Sequence, residues 1–398
     1  MDKGEIGAAA ERIRDYVRNT EIMESRTLNE ICGCRVFLKL ENLQRTGSFK
    51  IRGAANRLLT LKDEESERGV ITASMGNHGE AVAYMAKALD IDCCVVLPRG
   101  IKKSKLDAIK SHGARVELSG ATYDDAFQRA GELSVEEDYV MINSYEDEEE
   151  IAGNGTIALE LPDLDTLIVP VGGGGLLAGT LLALEDRGTR VIGVEPEGAA
   201  SLSLSLKNGR PSSVPSVNTI ADGLSARHPG IKPFSIIRSR ISEKDVALVS
   251  DVEIASALLF LLERCKILAE PSGAAPMAAL MYNKIGVEED SKVGVLITGG
   301  NVELSDLAYL ISRNVANEGR RTKLWIMARD DPQEMKKIFE LLGKNEISVE
   351  SMHLDRHAHS VPLNYCEVRL TVTAPQSSMI EKCISELRDG GHRVTAAY

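Results

Sequence analysis

The sequence is short of positive charge: 47 lysines and arginines stand against 59 aspartates and glutamates in 398 residues, a formal net charge of −12. A surface built to hold a phosphate backbone needs Lys and Arg gathered in patches, so this balance argues against a nucleic-acid partner. Long apolar runs are also missing. None approaches the ~20 residues needed to span a bilayer, although 43% of the chain is hydrophobic, ample for two or three packed domains. The first residues carry charges at Asp2, Lys3 and Glu5 and show no signal-peptide core. A cytoplasmic protein with no membrane partner is expected. Seven cysteines (Cys32, Cys34, Cys93, Cys94, Cys265, Cys366, Cys383) form no C-x-x-C pair, and their odd number leaves at least one unpaired. Most of them read as ordinary buried thiols of a reducing compartment. His353, His357 and His359 lie in a loop-like stretch with no fourth ligand at convincing spacing, so they read as surface histidines rather than metal ligands. The acidic run Glu146 to Glu150 reads as a solvated helix start.

Against these absences, three stretches stand out. Residues 46 to 53 read Thr-Gly-Ser-Phe-Lys-Ile-Arg-Gly, just before the helical pattern Ala54, Ala55, Leu58, Leu59. Lys50 is therefore expected at a loop-to-helix junction, where a lysine can point into a cleft, lose basicity and form an imine with a carbonyl. Most lysines are solvated on the surface, and this octet alone does not exclude that. The second stretch is Pro170-Val-Gly-Gly-Gly-Gly175, between the apolar run 164–169 and the helix-like 176–183. Four glycines there leave backbone N–H groups bare at a helix start, which suits a phosphate. A flexible turn is the alternative, but a turn rarely needs four. Dinucleotide binding fits less well, because Gly172, Gly174 and Leu177 do not meet the Gly-x-Gly-x-x-Gly spacing. The third stretch is Ser74-Met-Gly-Asn-His-Gly79, again between a short apolar run and a helical one. Exposed amides with Ser74, Asn77 and His78 beside them suit a small carboxylate and a phenolic oxygen. An N-cap explains Ser74 or Asn77 singly, not the whole run.

Strand-like runs (36–40, 93–97, 115–118, 139–143) alternate with helical ones (78–89, 103–111, 123–133), which implies right-handed βαβ units around a parallel sheet. A second series runs from Leu164 to 292–297 and leads directly into Thr298-Gly-Gly. Ligands in open α/β sheets gather at the carboxyl ends of strands, so Lys50, the Ser74 run, the glycine loop and Thr298 are expected to share one cleft. The charged, breaker-rich 313–322 reads as a linker. Beyond it, 323–328, 332–342, 348–354, 365–373, 378–387 and 393–396 spell a βαββαβ unit of the ferredoxin-like kind.

These motifs, with Phe37-Leu-Lys-Leu-Glu-Asn-Leu-Gln44, Ile151-Ala-Gly-Asn-Gly-Thr156, Ile220-Ala-Asp-Gly-Leu224, Glu270-Pro-Ser-Gly-Ala274 and Thr298-Gly-Gly-Asn301, resemble the pyridoxal-phosphate enzymes of the tryptophan-synthase β-subunit fold (fold type II), and within them the threonine/serine dehydratases. The resemblance covers essentially the whole chain; Asn19-Thr20-Glu21 departs from the family's usual Arg-Thr-Pro, away from the chemistry. It implies a pyridoxal-phosphate-dependent catalytic domain over 1–316 with a two-part parallel and mixed sheet. The C-terminal pattern resembles the amino-acid-binding modules called ACT domains, implying an ACT-like regulatory or oligomerisation domain over 323–398 and a homo-oligomer.

The resemblance also implies roles. Lys50 holds pyridoxal 5′-phosphate as an imine, is displaced by the incoming amino acid, and takes its α-proton; loss of the β-hydroxyl gives an enamine that hydrolyses to a 2-oxo acid and ammonia. Phe49 lies against the cofactor ring, Asn77 on its phenolic oxygen, Gly172, Gly173, Gly174 and Gly175 on its phosphate, and Thr298 at its pyridine nitrogen. The phosphate is the proton donor to the leaving hydroxyl. Ser74, Gly76, Asn77 and His78 take the substrate. A hydroxyl at the pyridine nitrogen cannot stabilise a protonated ring as a carboxylate would, which favours prompt β-elimination over a long-lived carbanion. Racemisation is disfavoured, because Met75 occupies the position where racemases of the family carry an acid/base serine. Cysteine-synthase-like replacement is disfavoured by His78, where those enzymes have threonine. A non-catalytic amino-acid sensor is a third reading, opposed by the presence of every residue the chemistry needs. Glu195, the Ala199 carbonyl and Ser201 stand where relatives bind a cation; one carboxylate with neutral oxygens suits a monovalent or hydrated divalent ion, and a carboxylate merely paired at a strand end is the alternative. In the C-terminal module Asp330-Asp331-Pro332-Gln333 lacks the glycine of effector-binding relatives, so subunit joining with little response to isoleucine is expected.

Overall fold

The structure is a computed structural model and describes residues 1–317 and 319–397. The chain divides into two compact units, Met1–Glu303 and the remainder from Leu304 onward. In the first unit a six-stranded sheet runs in the order Ile22–Glu24, Arg35–Leu40, Lys292–Ile297, Thr166–Pro170, Arg190–Pro196, Val246–Val249, parallel throughout except for its first pair. A smaller parallel sheet orders Arg115–Leu118, Cys93–Leu97, Val70–Ala73 and Val140–Met141. Central strands such as Val70–Ala73, Cys93–Leu97 and Thr166–Pro170 are buried at every residue, as continuous apolar strands between two helical layers should be. The seven cysteines are free thiols.

Helix Glu148–Leu159 is buried on all sides from Glu150 to Ala158. A Cβ on Gly153 would lie 2.3 Å from the Arg52 carbonyl oxygen, and one on Gly155 2.7 Å from the Gly179 carbonyl oxygen, so glycine is what lets helices Lys50–Leu59 and Gly175–Ala183 pack against it. The acidic run 146–150 is thus only partly the solvated helix start expected. Asp147 caps the helix by accepting from the Glu149 N–H at 3.1 Å, but the Glu150 carboxyl is fully buried. A second buried charged cluster joins the same helix: Arg52 pairs with Glu41 and Glu160, and Lys39 pairs with Glu160.

The second unit is a four-stranded antiparallel sheet in the order Ser348–Asp355, Tyr365–Thr373, Arg321–Arg329, Arg393–Ala397, with helices Pro332–Lys344 and Ser377–Asp389 contributing Ile338, Leu342, Ile380, Cys383, Ile384 and Leu387 to its core. Alternating burial along Arg321–Arg329 marks a sheet with one covered face. Two expectations change here. The stretch 313–322 is largely structured, because helix Leu304–Asn317 fills its first half and strand Arg321–Arg329 begins before its end; position 318 lies outside the described residues. His353 belongs to strand Ser348–Asp355 rather than to a loop, and it is exposed there, as are His357 and His359.

Candidate active site

Four loops leave the carboxyl ends of strands in the first unit and meet. After Arg35–Leu40 the chain makes a short turn and begins helix Lys50–Leu59 at Lys50 itself. The backbone ties this loop to the one after Lys292–Ile297: Ser48 pairs with Gly299, the Phe49 N–H donates to the Thr298 carbonyl at 3.0 Å, and the Gly300 N–H donates to the Gly47 carbonyl at 2.9 Å. After Val70–Ala73 comes the Ser74 loop, and after Thr166–Pro170 the glycine loop. Together they enclose a cavity of about 570 Å³ lined by Phe49, Lys50, Ser74, Gly76, Asn77 and His78, by Gly172 to Gly175, and by Thr298. Of the residues singled out from sequence, only Glu195, Ala199 and Ser201 lie elsewhere.

Lys50 is half-buried, with Nζ 5.1 Å from the Phe49 ring centroid and 3.4 Å from the Ser144 carbonyl that accepts from it. Burial lowers its basicity, with the carboxyls of Glu150 and Glu270 opposing that shift. The side chain therefore needs less alkaline conditions than a surface lysine to become a free amine. The Ser74 hydroxyl accepts the N–H groups of Gly76 and Gly79, each at 2.9 Å. That caps helix Asn77–Leu89 and leaves the hydroxyl proton to donate. Asn77 is held on both sides: its amide nitrogen donates to Glu270 at 2.7 Å, and its amide oxygen accepts from Asn301 at 2.9 Å. Glu270 is pushed up to about 7 by burial, as Glu80 is nearby. Burial and the adjacent Lys50 charge push His78 down to about 3, partly offset by the Ile142 carbonyl; its ring is neutral at pH 7.

The glycine loop is a cradle that side chains would fill. A Cβ on Gly173 would stand 2.4 Å from the Tyr145 ring, one on Gly172 would stand 2.9 Å from the Gly223 carbonyl oxygen, and Gly174 has φ +94°. Helix Gly175–Ala183 starts there with its N-terminal amides, a favourable place for a phosphate dianion. With Lys50, Asn77 and Thr298 on the same cavity wall, the donor set fits a ring aldehyde carrying a phosphate and a phenolic oxygen.

Glu195 closes strand Arg190–Pro196 and accepts from the N–H groups of Leu202 (2.7 Å) and Ser203 (2.9 Å). Burial pushes it up to about 7. Ser201 Oγ is buried with no hydrogen-bond partner among the described residues, and no group of three or more His, Cys, Asp and Glu side chains could hold a metal among them. No described helix is long and apolar enough to cross a membrane.

Sequence reasoning missed several cavity residues. Lys105 reaches in over Gly76, its Nζ 3.3 Å from Asp222, and Tyr123, Tyr145 and Glu270 complete the wall. Glu150, behind Lys50, was masked by the acidic run before it. The signal was there: the stretch from Ile151 to Leu159 carries no charge and only Asn154 and Thr156 as polar side chains, the mark of a buried helix, and Glu150 sits one turn before Asn154 on its inward side.

Comparison with known proteins agrees with this geometry. Residues 13–299 match the model of a family described as pyridoxal-phosphate dependent enzyme. An L-threonine ammonia-lyase of Thermotoga maritima is 35% identical over 396 residues, 98% of either chain. Among solved structures, maize serine racemase aligns at a TM-score of 0.74 with 35% identity, covering 79% of this chain and 98% of that one. The processed form of threonine deaminase isoform 2 from Solanum lycopersicum aligns at 0.72 with 32% identity, covering 78% and 94%.

Proposed function

The chain belongs to the pyridoxal-phosphate-dependent enzymes, and from that premise we propose that it is an L-threonine ammonia-lyase, converting L-threonine to 2-oxobutyrate and ammonia and L-serine to pyruvate. The observation that carries this reading is the convergence of Lys50, the Ser74 loop, the glycine cradle and Thr298 on one cavity, in a chain that matches an L-threonine ammonia-lyase from end to end.

When bound, pyridoxal phosphate supplies an electron sink that makes the α-proton of an amino acid removable. The chain's own residues do the rest. Lys50 would hold the cofactor and serve as the base at the α-carbon, a task that its lowered basicity favours. The amides and side chains of Ser74, Gly76, Asn77 and His78 receive the substrate carboxylate, and neutral His78 adds no charge of its own. Gly172 to Gly175 would hold the phosphate, Phe49 would cover the ring, and Thr298 would offer the pyridine nitrogen a hydroxyl rather than a carboxylate. Racemisation, suggested by the maize enzyme, needs a proton carrier beside the Gly-Asn-His turn; Met75 lines the cavity there and has no exchangeable proton. A cation belongs to this reading at Glu195, the Ala199 carbonyl and Ser201, whose unpartnered hydroxyl supports it.

We infer that the second unit is a ferredoxin-like, ACT-type module whose role is to join copies of the chain; its four-stranded antiparallel sheet and βαββαβ succession support this. At the turn after its first strand, Asp330 is taken by Arg356 through two bonds of 2.7 and 3.0 Å, and Asp331 caps the next helix through the Gln333 N–H at 2.8 Å. The polar groups that would greet an amino-acid effector are thus already satisfied.

The decisive experiment is Lys50→Ala in the full-length enzyme. Loss of the cofactor's visible absorbance and a fall of at least about 10²-fold in 2-oxobutyrate formation are expected. Undiminished turnover of threonine would refute the assignment, and D-serine appearing from L-serine faster than pyruvate would favour racemisation.

A further inference from the structure

At the back of the cavity three buried polar side chains lie together. Glu150 is fully buried, Asn154 is 1% exposed and His78 is 4% exposed. Both carboxyl oxygens of Glu150, both ring nitrogens of His78 and both amide atoms of Asn154 lack a hydrogen bond of normal geometry among the described residues. His78 Nδ1 and Glu150 Oε1 are 3.8 Å apart. A buried carboxyl with no hydrogen bond is costly, and native structures keep such groups chiefly where they have work to do.

The helix carrying Lys50 is shaped around this carboxyl. Three residues after Lys50, on the same face, stands Gly53, and a Cβ there would lie 2.1 Å from Glu150 Oε2 and 2.9 Å from Asn154 Oδ1. A turn further on, Arg57 Nε bonds Asp147 at 2.7 Å, so the cation nearest on that face is already paired. The charged and titratable groups that face Glu150 are Lys50 and Arg57 from the Lys50 helix, His78 from helix Asn77–Leu89, and Asp147 from its own helix. Arg52 is turned to the opposite side, toward Glu41 and Glu160. Among the described residues, Lys50 and Arg57 are the cations whose charge acts on Glu150, and Arg57 is already paired with Asp147.

We propose that Glu150 is the proton partner of Lys50: the two side chains hold one proton between them, so that the lysine nitrogen can gain or lose a proton inside the cleft without changing the charge of the pair. In the transfer one N–H bond of the Lys50 ammonium breaks and one O–H bond of the Glu150 carboxyl forms; the ion pair becomes a neutral amine and a neutral acid, and no other reactant is consumed. Neutral His78 lines the same cavity as Lys50 and stands 3.8 Å from Glu150, where its ring can relay the proton by accepting at one nitrogen and releasing at the other. Burial drives the carboxyl upward and the lysine downward, the directions that suit a shared proton. Glu150 is absent from the cavity wall, so it is a positioning residue for Lys50's proton and not a substrate contact.

The inference rests on Lys50 being the cofactor-holding residue, which the Lys50→Ala experiment tests separately through the loss of visible absorbance. For Glu150 the test is a pH titration of that absorbance in the full-length enzyme. Two coupled groups titrate in two macroscopic steps, so the wild type should show two transitions with a pH-independent stretch between them. Glu150→Gln, which keeps the shape and removes the acid, should show one transition, at least about one pH unit lower because the lysine nitrogen has lost its countercharge. Its kcat should fall at least about tenfold with KM for threonine nearly unchanged, and Glu150→Asp should recover the second transition. A single transition in the wild type overturns the proposal without any variant. Superimposable titrations of wild type and Glu150→Gln overturn it too, even if activity falls, since a packing role alone would leave the spectrum unmoved.

Discussion

Arg52→Met tests what holds the Lys50 helix in place. Arg52 is 1% exposed and spends its guanidinium inside the fold: Nε and Nη2 bond Glu41 at 2.8 and 2.7 Å, Nη1 and Nη2 bond Glu160 at 2.7 and 3.0 Å, and Thr156 Oγ1 and the Arg18 carbonyl each accept at 3.2 Å. Methionine fills a similar volume but leaves Glu41, which is fully buried, with only the Thr20 hydroxyl at 2.6 Å and the more distant charge of Lys39. Breaking a buried pair by removing one partner costs about 3–5 kcal/mol, because the other charge is stranded. The loss should depend on pH in a defined direction. Burial alone would raise the Glu41 carboxyl, but the Arg52 charge and hydrogen bonds outweigh it and hold the group below its ordinary value of 4.5. A depressed carboxyl contributes stability above the unfolded pKa that is lost as pH falls through the folded one. In the variant burial is no longer outweighed and the carboxyl rises, so the gap between it and the wild type should be largest near pH 7.5 and narrow as pH falls toward about 4.5 and below. Urea unfolding followed by far-ultraviolet circular dichroism at both pH values measures it. The double variant Arg52→Met with Glu41→Leu should be more stable than Arg52→Met alone, since no charge is left stranded. A single variant within about 1 kcal/mol of wild type at pH 7.5, or a gap independent of pH, would refute the reasoning.

Glu195→Gln should flatten the pH dependence of stability: a carboxyl raised to about 7 by burial keeps its proton longer when folded, so stability at that group falls as pH rises from about 4.5 to 7. Potassium or magnesium should stabilise the wild type at pH 8 and not the variant, and turnover unmoved by either ion after exhaustive chelation and dialysis would remove the cation from the reading. Isoleucine should leave threonine deamination nearly unchanged, because Asp330 and Asp331 are already engaged; strong saturable inhibition, lost in a chain ending near Gly319, would show that the module senses an effector.

How much of this was legible in the sequence depends on whether a feature is written locally. The strands at 36–40, 93–97, 115–118 and 292–297 announce themselves as short apolar runs between breakers, and the structure places strands there. The loops that line the cavity were found because each follows such a run, and topology alone then brings them to one side of the sheets. Glu150 was not found, because charge is read as solvent exposure wherever four acidic or polar neighbours surround it. Its burial is decided by Gly53 and Gly153, which bring two helices close enough to swallow one side chain, and such an approach is a property of pairs distant in sequence. Lys105 and Asp222 escaped for the same reason, being 117 positions apart and meeting only across the cavity. The linker reading of 313–322 failed differently: Arg313, Asn314 and Gly319 look like breakers, yet helix Leu304–Asn317 runs through the first half of the stretch, with Leu310 buried just before it. An amphipathic helix rich in polar residues near its end is locally indistinguishable from a linker until its buried face has a partner. The sequence therefore exposes chemistry where a motif must be contiguous to work, as a phosphate cradle must, and conceals it where one residue acts on another from a different helix, as Glu150 does on Lys50.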